Sequence, residues 1–379
     1  MKLITGATGL IGGAIVLDLL ERRPHEPVCC IVRGASRAAA QERLEASLRH
    51  AAALYQVELP HDALEERCRA IPGDITAPGC ALDLGQLPET AELWHCAASI
   101  ESVAADRDEA AAHDIAGTAH VLALAEQLGV RRYNHVSTAY VIGDRTGLIR
   151  EEPVLAERAP NNDHEAAKRR AEEMVAASNL DVVRILRPSL VVGHSRTARC
   201  TSATGMYGLI DQILQFRHEI ATTLGDYLAH RSVSLIGRPE TRLNIVPVDV
   251  VAEAIVTISE ADAPAGIYQL ANLKPPQLGT YLSVLISVLG MREPRFVDSG
   301  EQLSSIDAAF NRIAGFHRSY LLQDKEFDCA NSCRFVDSDL LTWQFDVSEL
   351  TRYIVAHLDR VGHEHDVRLT AAELDGSGR

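Results

Sequence analysis

The sequence lacks the features that would direct it to a polyanion, a bilayer or a metal. Basic residues are short: 37 Lys and Arg face 52 Asp and Glu, a net charge of −15. That balance excludes a nucleic acid or an anionic membrane surface as the main partner. No apolar run approaches the ~20 residues needed to span a bilayer. The eight cysteines (29, 30, 68, 80, 96, 200, 329 and 333) have neither zinc-site nor disulfide spacing. Cys29, Cys30 and Cys96 lie in apolar, strand-like runs, where a thiol behaves as a small hydrophobe. Cys329 and Cys333 are one helical turn apart, but no second pair accompanies them. There is no internal repeat. A strand begins at once, leaving no room for a signal peptide, so a cytoplasmic protein is expected. What remains is an ordinary globular chain of 379 residues, 46% apolar and 23% charged. It is long enough for two or three domains of ~150 residues.

The chain is organised around its first strand and turn. Leu3 and Ile4 form a short apolar run, and Gly6, Gly9 and Gly12 follow at three-residue spacing. Ile11, Ile15 and Leu19 then mark one face of a helix. Strand, glycine turn and helix in succession make a phosphate cradle, with Thr8, Leu10 and Ile11 in the same turn. The glycines let the backbone approach a pyrophosphate, and the helix N-terminus offers free N–H groups and a partial positive charge.

The second strand, Val28 to Val32, is followed by Arg33, with Arg37 four residues on. In a dinucleotide-binding unit an acidic residue there would hold the ribose 2′-hydroxyl of NAD. Arginines favour a 2′-phosphate instead, so NADPH is the expected cofactor. Asp74, at the end of a third strand (70–75), suits either an adenine amino group or a turn cap. In the fourth strand, 92–98, Ala97 and Ala98 are small enough for a cofactor ribose to lie against the backbone. Further strands are expected at 133–138 and 182–187, and helices at 38–54, 108–128 and around 164–174. This alternation means a doubly wound parallel α/β sheet of the Rossmann type.

The domain reading assigns 1–195 to the nucleotide-binding unit and 196–240 to a helical lid or insertion. It assigns 241–260 to a return to the first unit, 261–366 to a smaller interleaved C-terminal substrate lobe, and 367–379 to a disordered tail. Residues 195–205 read as a mobile loop with a hinge at Gly205. Met206, Leu209, Ile210, Ile213 and Leu214 line one helical face. Such a face suits a lid over a bulky apolar ligand, a dimer interface or a core helix, core packing being the commoner outcome. A monomer or homodimer is expected.

Several motifs in this order resemble the extended short-chain dehydrogenase/reductase family. They are TGATGLIGG at 5–13, GDI at 73–75, Ser137-Thr138 ahead of Gly143, and Lys168 with RPS at 187–189. IVRG at 31–34, HVSTAYVIG at 135–143, AEEMV at 171–175, NIVPVDVVAEAI at 244–255 and FDCAN at 327–331 are similar to the thioester-reductase and fatty-acyl-reductase branch. The resemblance implies that Gly6, Gly9 and Gly12 carry the pyrophosphate and that Asp74 and Ile75 hold the adenine. It implies that Thr138 bonds the substrate carbonyl, Lys168 binds the nicotinamide ribose, and Pro188 to Leu190 flank the nicotinamide amide.

One departure stands out. The family's catalytic pair is Tyr-x-x-x-Lys on one helix, where i and i+4 share a face. The tyrosine position is His164, and the family's helix-borne asparagine is Asp114. Three readings follow. His164 replaces tyrosine as acid; or the chemistry needs no side-chain acid; or the chain is an NADPH-binding sensor or scaffold. The second reading fits atypical ketoreductases that tailor aromatic polyketides in antibiotic biosynthesis, and a bulky ketone is therefore the expected substrate. A thioester or aldehyde reductase is the alternative.

Overall fold

The computed structural model describes residues 1–365, apart from 24, 60–62, 88, 99–106, 155–157, 301–302, 314, 316–317 and 364. The expected tail at 367–379 lies outside the described residues. Seven parallel strands form the central sheet: β1 (Lys2–Thr5), β2 (Val28–Val32), β3 (Cys68–Pro72), β4 (Glu92–His95), β5 (Arg132–Val136), β6 (Val182–Pro188) and β7 (Gly266–Leu270). Their order across the sheet is β7-β6-β5-β4-β1-β2-β3. The order reverses between β1 and β4, and such a switch point opens a crevice at the C-terminal strand ends.

Helices α1 (Leu10–Arg22), α2 (Arg37–Tyr55) and α6 (Val248–Glu260) cover one face, burying Ile15, Leu19, Leu44 and Ile255 against Ile4, Cys30 and Trp94. Helices α3 (Arg107–Gln127) and α4 (Asp163–Ala176) cover the other face, with Val121, Leu124 and Val175 against Leu3, Leu93 and Ile185. Strands buried on both sides read as continuous apolar runs, which is why VCCIV could be recognised as a strand.

A second core lies around α5 (Met206–Leu224), α7 (Leu278–Val288) and α8 (Val347–Arg360). Leu10, Leu190 and Trp343 pack against both this core and the first.

Two expectations change. The sequence reading starts the C-terminal lobe at residue 261, yet β7 is an outer strand of the central sheet, paired in register with β6. Ile267 joins the core on one face, and Tyr268 and Leu270 join the core on the other. The loop expected to be mobile over 195–205 is tied down at its start, at Ser195 and Arg196. Asp249 at the start of α6 accepts hydrogen bonds from Ser195 N and Oγ at 2.7 and 2.5 Å. Arg196 donates to the carbonyls of Tyr55 and Gln56 at 3.2 and 2.7 Å, and Arg352 donates to those of Ser195 and Arg196. The apolar face of α5 buries Tyr207, Ile210, Ile213 and Phe216 in the second core.

Candidate active site

The glycine turn is built by contacts that exclude side chains. Gly6 has φ +75°, and a Cβ there would lie 2.5 Å from Ala97 N. A Cβ on Gly12 would meet the Gly6 carbonyl oxygen at 2.3 Å. Gly9 differs: its Cβ would meet only that same oxygen, at 3.3 Å, and the residue is exposed. Gly9 starts α1 with no side-chain cap, so the first-turn amides of Leu10 and Ile11 have no intrahelical partner. Half-buried Thr8 stands in the same turn. This is the cradle a pyrophosphate requires, and the residues present fit a dinucleotide.

The turn's neighbours are placed by the sheet. Ala97 and Ala98 follow β4 beside Gly6 and are half-buried. Pro188 ends β6, with Ser189 and Leu190 beyond it. Ser137 and Ser189 are buried, and neither hydroxyl oxygen has a hydrogen-bond partner among the described residues. Two orphaned hydroxyls at the strand ends fit a polar ligand in the crevice.

β5 stops at Val136, two residues earlier than expected, because Thr138 Oγ1 accepts from Tyr140 N at 3.3 Å and starts a 3₁₀ turn, Ala139–Ile142. An oxygen that accepts from an amide keeps its own proton to donate. On α4, His164 and Lys168 are one turn apart, and the helix start is fixed by Asn162 Oδ1 accepting from Glu165 N at 2.9 Å. Glu172 and Arg187, both buried, tie α4 to β6 through paired bonds of 2.9 and 2.6 Å.

Lys168 is 7% exposed, and its Nζ donates to Val136 O at 3.2 Å. Burial lowers its pKa, while Asp114, Cys96 and Glu172 push it back up. His164 is half-buried, and its ring is pushed down to about 4 by burial and by the Lys168 charge. His164 is therefore neutral at neutral pH.

Behind these residues lies a feature that local sequence did not reveal. Thr5, His95 and His135 end or nearly end three adjacent strands and are paired in register. All three are buried and face the α3–α4 side. Thr118 donates to the Asp114 carbonyl at 2.9 Å, so its oxygen accepts from His95 Nε2 at 3.2 Å. His95 Nδ1 then accepts from the Thr5 hydroxyl at 2.7 Å, and Thr5 Oγ1 accepts from Ala97 N at 3.3 Å. The network fixes one neutral tautomer of His95. Burial and the Lys168 charge push that ring down to about 3.

Asp74 takes one of its two expected arrangements, and Arg37 sits differently from expectation. Asp74 Oδ1 accepts from Thr76 N and Oγ1 at 3.0 and 2.9 Å, which is the turn-capping arrangement. Ile75 docks that turn on α3, its carbonyl accepting from His120 Nδ1 at 2.8 Å. Arg33 is exposed at the C-terminal end of β2, as a 2′-phosphate contact requires. Arg37 is not beside it. It lines a surface groove with Met1, Pro27, Cys29 and Arg69, at the opposite ends of the strands from the crevice. Arg43, unnoticed in the sequence, lies next to Arg33 and donates to its carbonyl at 3.3 Å.

Residues 4–255 match the family model described as "Male sterility protein", the model of an NAD-binding domain. The chain belongs to this family. Its cofactor class is accordingly a nicotinamide dinucleotide. Among its curated relatives, the nonribosomal peptide synthetase FrzA of Cladobotryum sp is 27% identical over 290 residues, which is 72% of this chain and 26% of the relative. The probable fatty acyl-CoA reductase 5 of Arabidopsis thaliana is 28% identical over 176 residues, 42% of this chain and 35% of the relative. The chain thus spans about a quarter to a third of the length of these two relatives. A solved structure, the terminal R domain from the myxalamid PKS-NRPS biosynthetic pathway, superposes with a TM-score of 0.74 at 22% identity. That match covers 96% of this chain and 91% of the other and shows a common fold. Among the described residues no helix is long and apolar enough to cross a membrane, and no group of three or more His, Cys, Asp and Glu could hold a metal ion.

Proposed function

We propose that the chain is an NADPH-dependent reductase of an acyl carbonyl, presented as a thioester or as the aldehyde a thioester yields, on a bulky apolar substrate. The observation that carries this reading is an open glycine cradle after β1 with Thr138 and Lys168 at the C-terminal end of β5, in a chain of this family. When bound, NADPH supplies hydride to the carbonyl carbon. Gly6, Gly9 and Gly12, with the Leu10 and Ile11 amides, would hold the pyrophosphate. Asp74 and Ile75 would border the adenine, and Arg33 with Arg43 the 2′-phosphate. Ala97, Ala98, Lys168, Pro188 and Leu190 would border the nicotinamide half.

The missing tyrosine weighs differently on the candidate substrates. Reducing a thioester breaks the C–S bond and expels a thiolate, whose conjugate acid has a pKa of about 8.5. That step needs the developing oxyanion to be held but requires no side-chain acid. The Thr138 hydroxyl can donate to that oxygen, and the Lys168 charge stabilises it through a poorly solvated path. Neutral His164 can add one N–H bond but cannot act as an imidazolium acid.

A second reading keeps the ketone. A ketone hydrogen-bonded to its own neighbouring phenol is already polarised, and the neutral state of His164 favours it. The two readings are tested by following nicotinamide oxidation with a long-chain acyl thioester, its aldehyde and such a ketone. The proposal expects turnover with the thioester, the aldehyde or both. Turnover with the ketone alone would replace it by the second reading.

A further inference from the structure

His135 is the one member of the buried polar row that its own strands do not satisfy. It is 1% exposed, and neither Nδ1 nor Nε2 has a hydrogen-bond partner among the described residues. A neutral imidazole carries one donor and one acceptor. Leaving both unmade in a dry interior is unfavourable, because the desolvation of each group goes uncompensated. His95 lies against it with ring centroids 5.4 Å apart, and Tyr133 stacks at 6.5 Å. The ring faces the α3–α4 side, where Lys168 bonds the carbonyl of the next residue, Val136. An ammonium has three donors, and this bond uses one of them.

We propose that His135 is a positioning residue for Lys168: its ring holds an internal water that accepts a hydrogen bond from the ammonium and so keeps the lysine charged. The proposal rests on the reading of Lys168 as a residue of the cofactor site. Internal water at a polar site with several partners is a normal part of a protein interior. His95 cannot serve in its place, because Thr5 and Thr118 occupy both of its ring nitrogens. The groups that act on Lys168 are Asp114 from α3, Cys96 after β4, His95 and His135 from the sheet, and Glu172 and His164 from its own helix. Asp114, Cys96 and Glu172 favour the charged lysine, and the water on His135 adds an acceptor. Without that acceptor, burial of the ammonium is less compensated, and the lysine loses its proton at lower pH.

The experiment is NADPH affinity measured by nicotinamide fluorescence on the whole chain, from about pH 6 to about pH 10, a range spanning a lowered lysine pKa. Wild type loses affinity on an alkaline limb that is absent in Lys168→Met. His135→Phe moves the midpoint of that limb down by about one pH unit, with affinity near pH 6 unchanged. His135→Gln, which keeps a donor and an acceptor, restores the midpoint. An unmoved midpoint in folded His135→Phe overturns the proposal. A Lys168→Met variant with wild-type affinity and the same limb overturns the site reading beneath it. A crystal structure gives a test independent of the variants: a water bonded to His135 and Lys168 is expected, and a dry contact there contradicts the proposal.

Discussion

Arg43 donates a hydrogen bond to the main-chain carbonyl of Arg33 at 3.3 Å, so the second turn of α2 lies over the end of β2. The proposed 2′-phosphate contacts are therefore Arg33 and Arg43, without Arg37. Arg33→Ala and Arg43→Ala are each expected to weaken NADPH by about tenfold or more while leaving NADH affinity nearly unchanged. Arg37→Ala is expected to change neither. Isothermal titration with both cofactors checks this, and a loss of NADPH preference in Arg37→Ala alone would contradict it.

The glycines separate fold from ligand. A methyl group on Gly12 would sit 2.3 Å from the Gly6 carbonyl, so Gly12→Ala should disrupt the turn and lower the melting temperature. On Gly9 the nearest atom is 3.3 Å away, and the methyl would project toward the proposed phosphate space. Gly9→Ala should melt within a few degrees of wild type and bind NADPH at least about tenfold more weakly. Wild-type affinity in a folded Gly9→Ala protein would mean the turn holds no pyrophosphate.

Much of this was legible locally. The turn could be read because glycine spacing, an apolar strand and a 3.6-residue period fall within twenty residues. What was missed depends on partners far along the chain. β7 is a short strand whose place at the sheet edge is set by pairing with β6, about eighty residues earlier. Arg37 and Arg43 lie on different faces of α2, and only the packing of that helix shows which faces the crevice. The row of Thr5, His95 and His135 exists because three strands end level, a relation of register that no single segment carries. Asp74 had two readings of equal standing, and one carboxylate oxygen makes the turn cap.

Acid should destabilise the fold through its neutral histidines. Burial, then the Lys168 charge, pushes His95 down to about 3 and His164 to about 4. Both would titrate near 6.5 in the unfolded chain. The unfolded state therefore binds protons that the folded state refuses. Stability is complete above about pH 6.5 and falls as pH drops toward about 4 for His164 and about 3 for His95. At pH 5 the buried His95 ring alone amounts to about 2 kcal/mol. Melting followed by circular dichroism should show a fall of several degrees between about pH 7.5 and about pH 5. A flat profile would contradict the assignment of these rings as neutral.

His164 should be dispensable for the chemical step. General acid catalysis by a side chain contributes about 10²–10⁴-fold, and a ring held neutral contributes only a hydrogen bond. His164→Phe is expected to keep turnover within about tenfold of wild type at saturating NADPH. A loss of several orders of magnitude with cofactor binding intact would make His164 the proton donor.

The most direct test of the whole account is NADPH consumption against a small set of carbonyl compounds: a long-chain acyl thioester, an aldehyde, an aromatic ketone beside a phenol, and a nucleotide-sugar. The account predicts oxidation of NADPH with the thioester or the aldehyde, and loss of that activity in Thr138→Val. Tight NADPH binding with no oxidation by any of the four would contradict it and favour a protein that binds the cofactor as a sensor or scaffold.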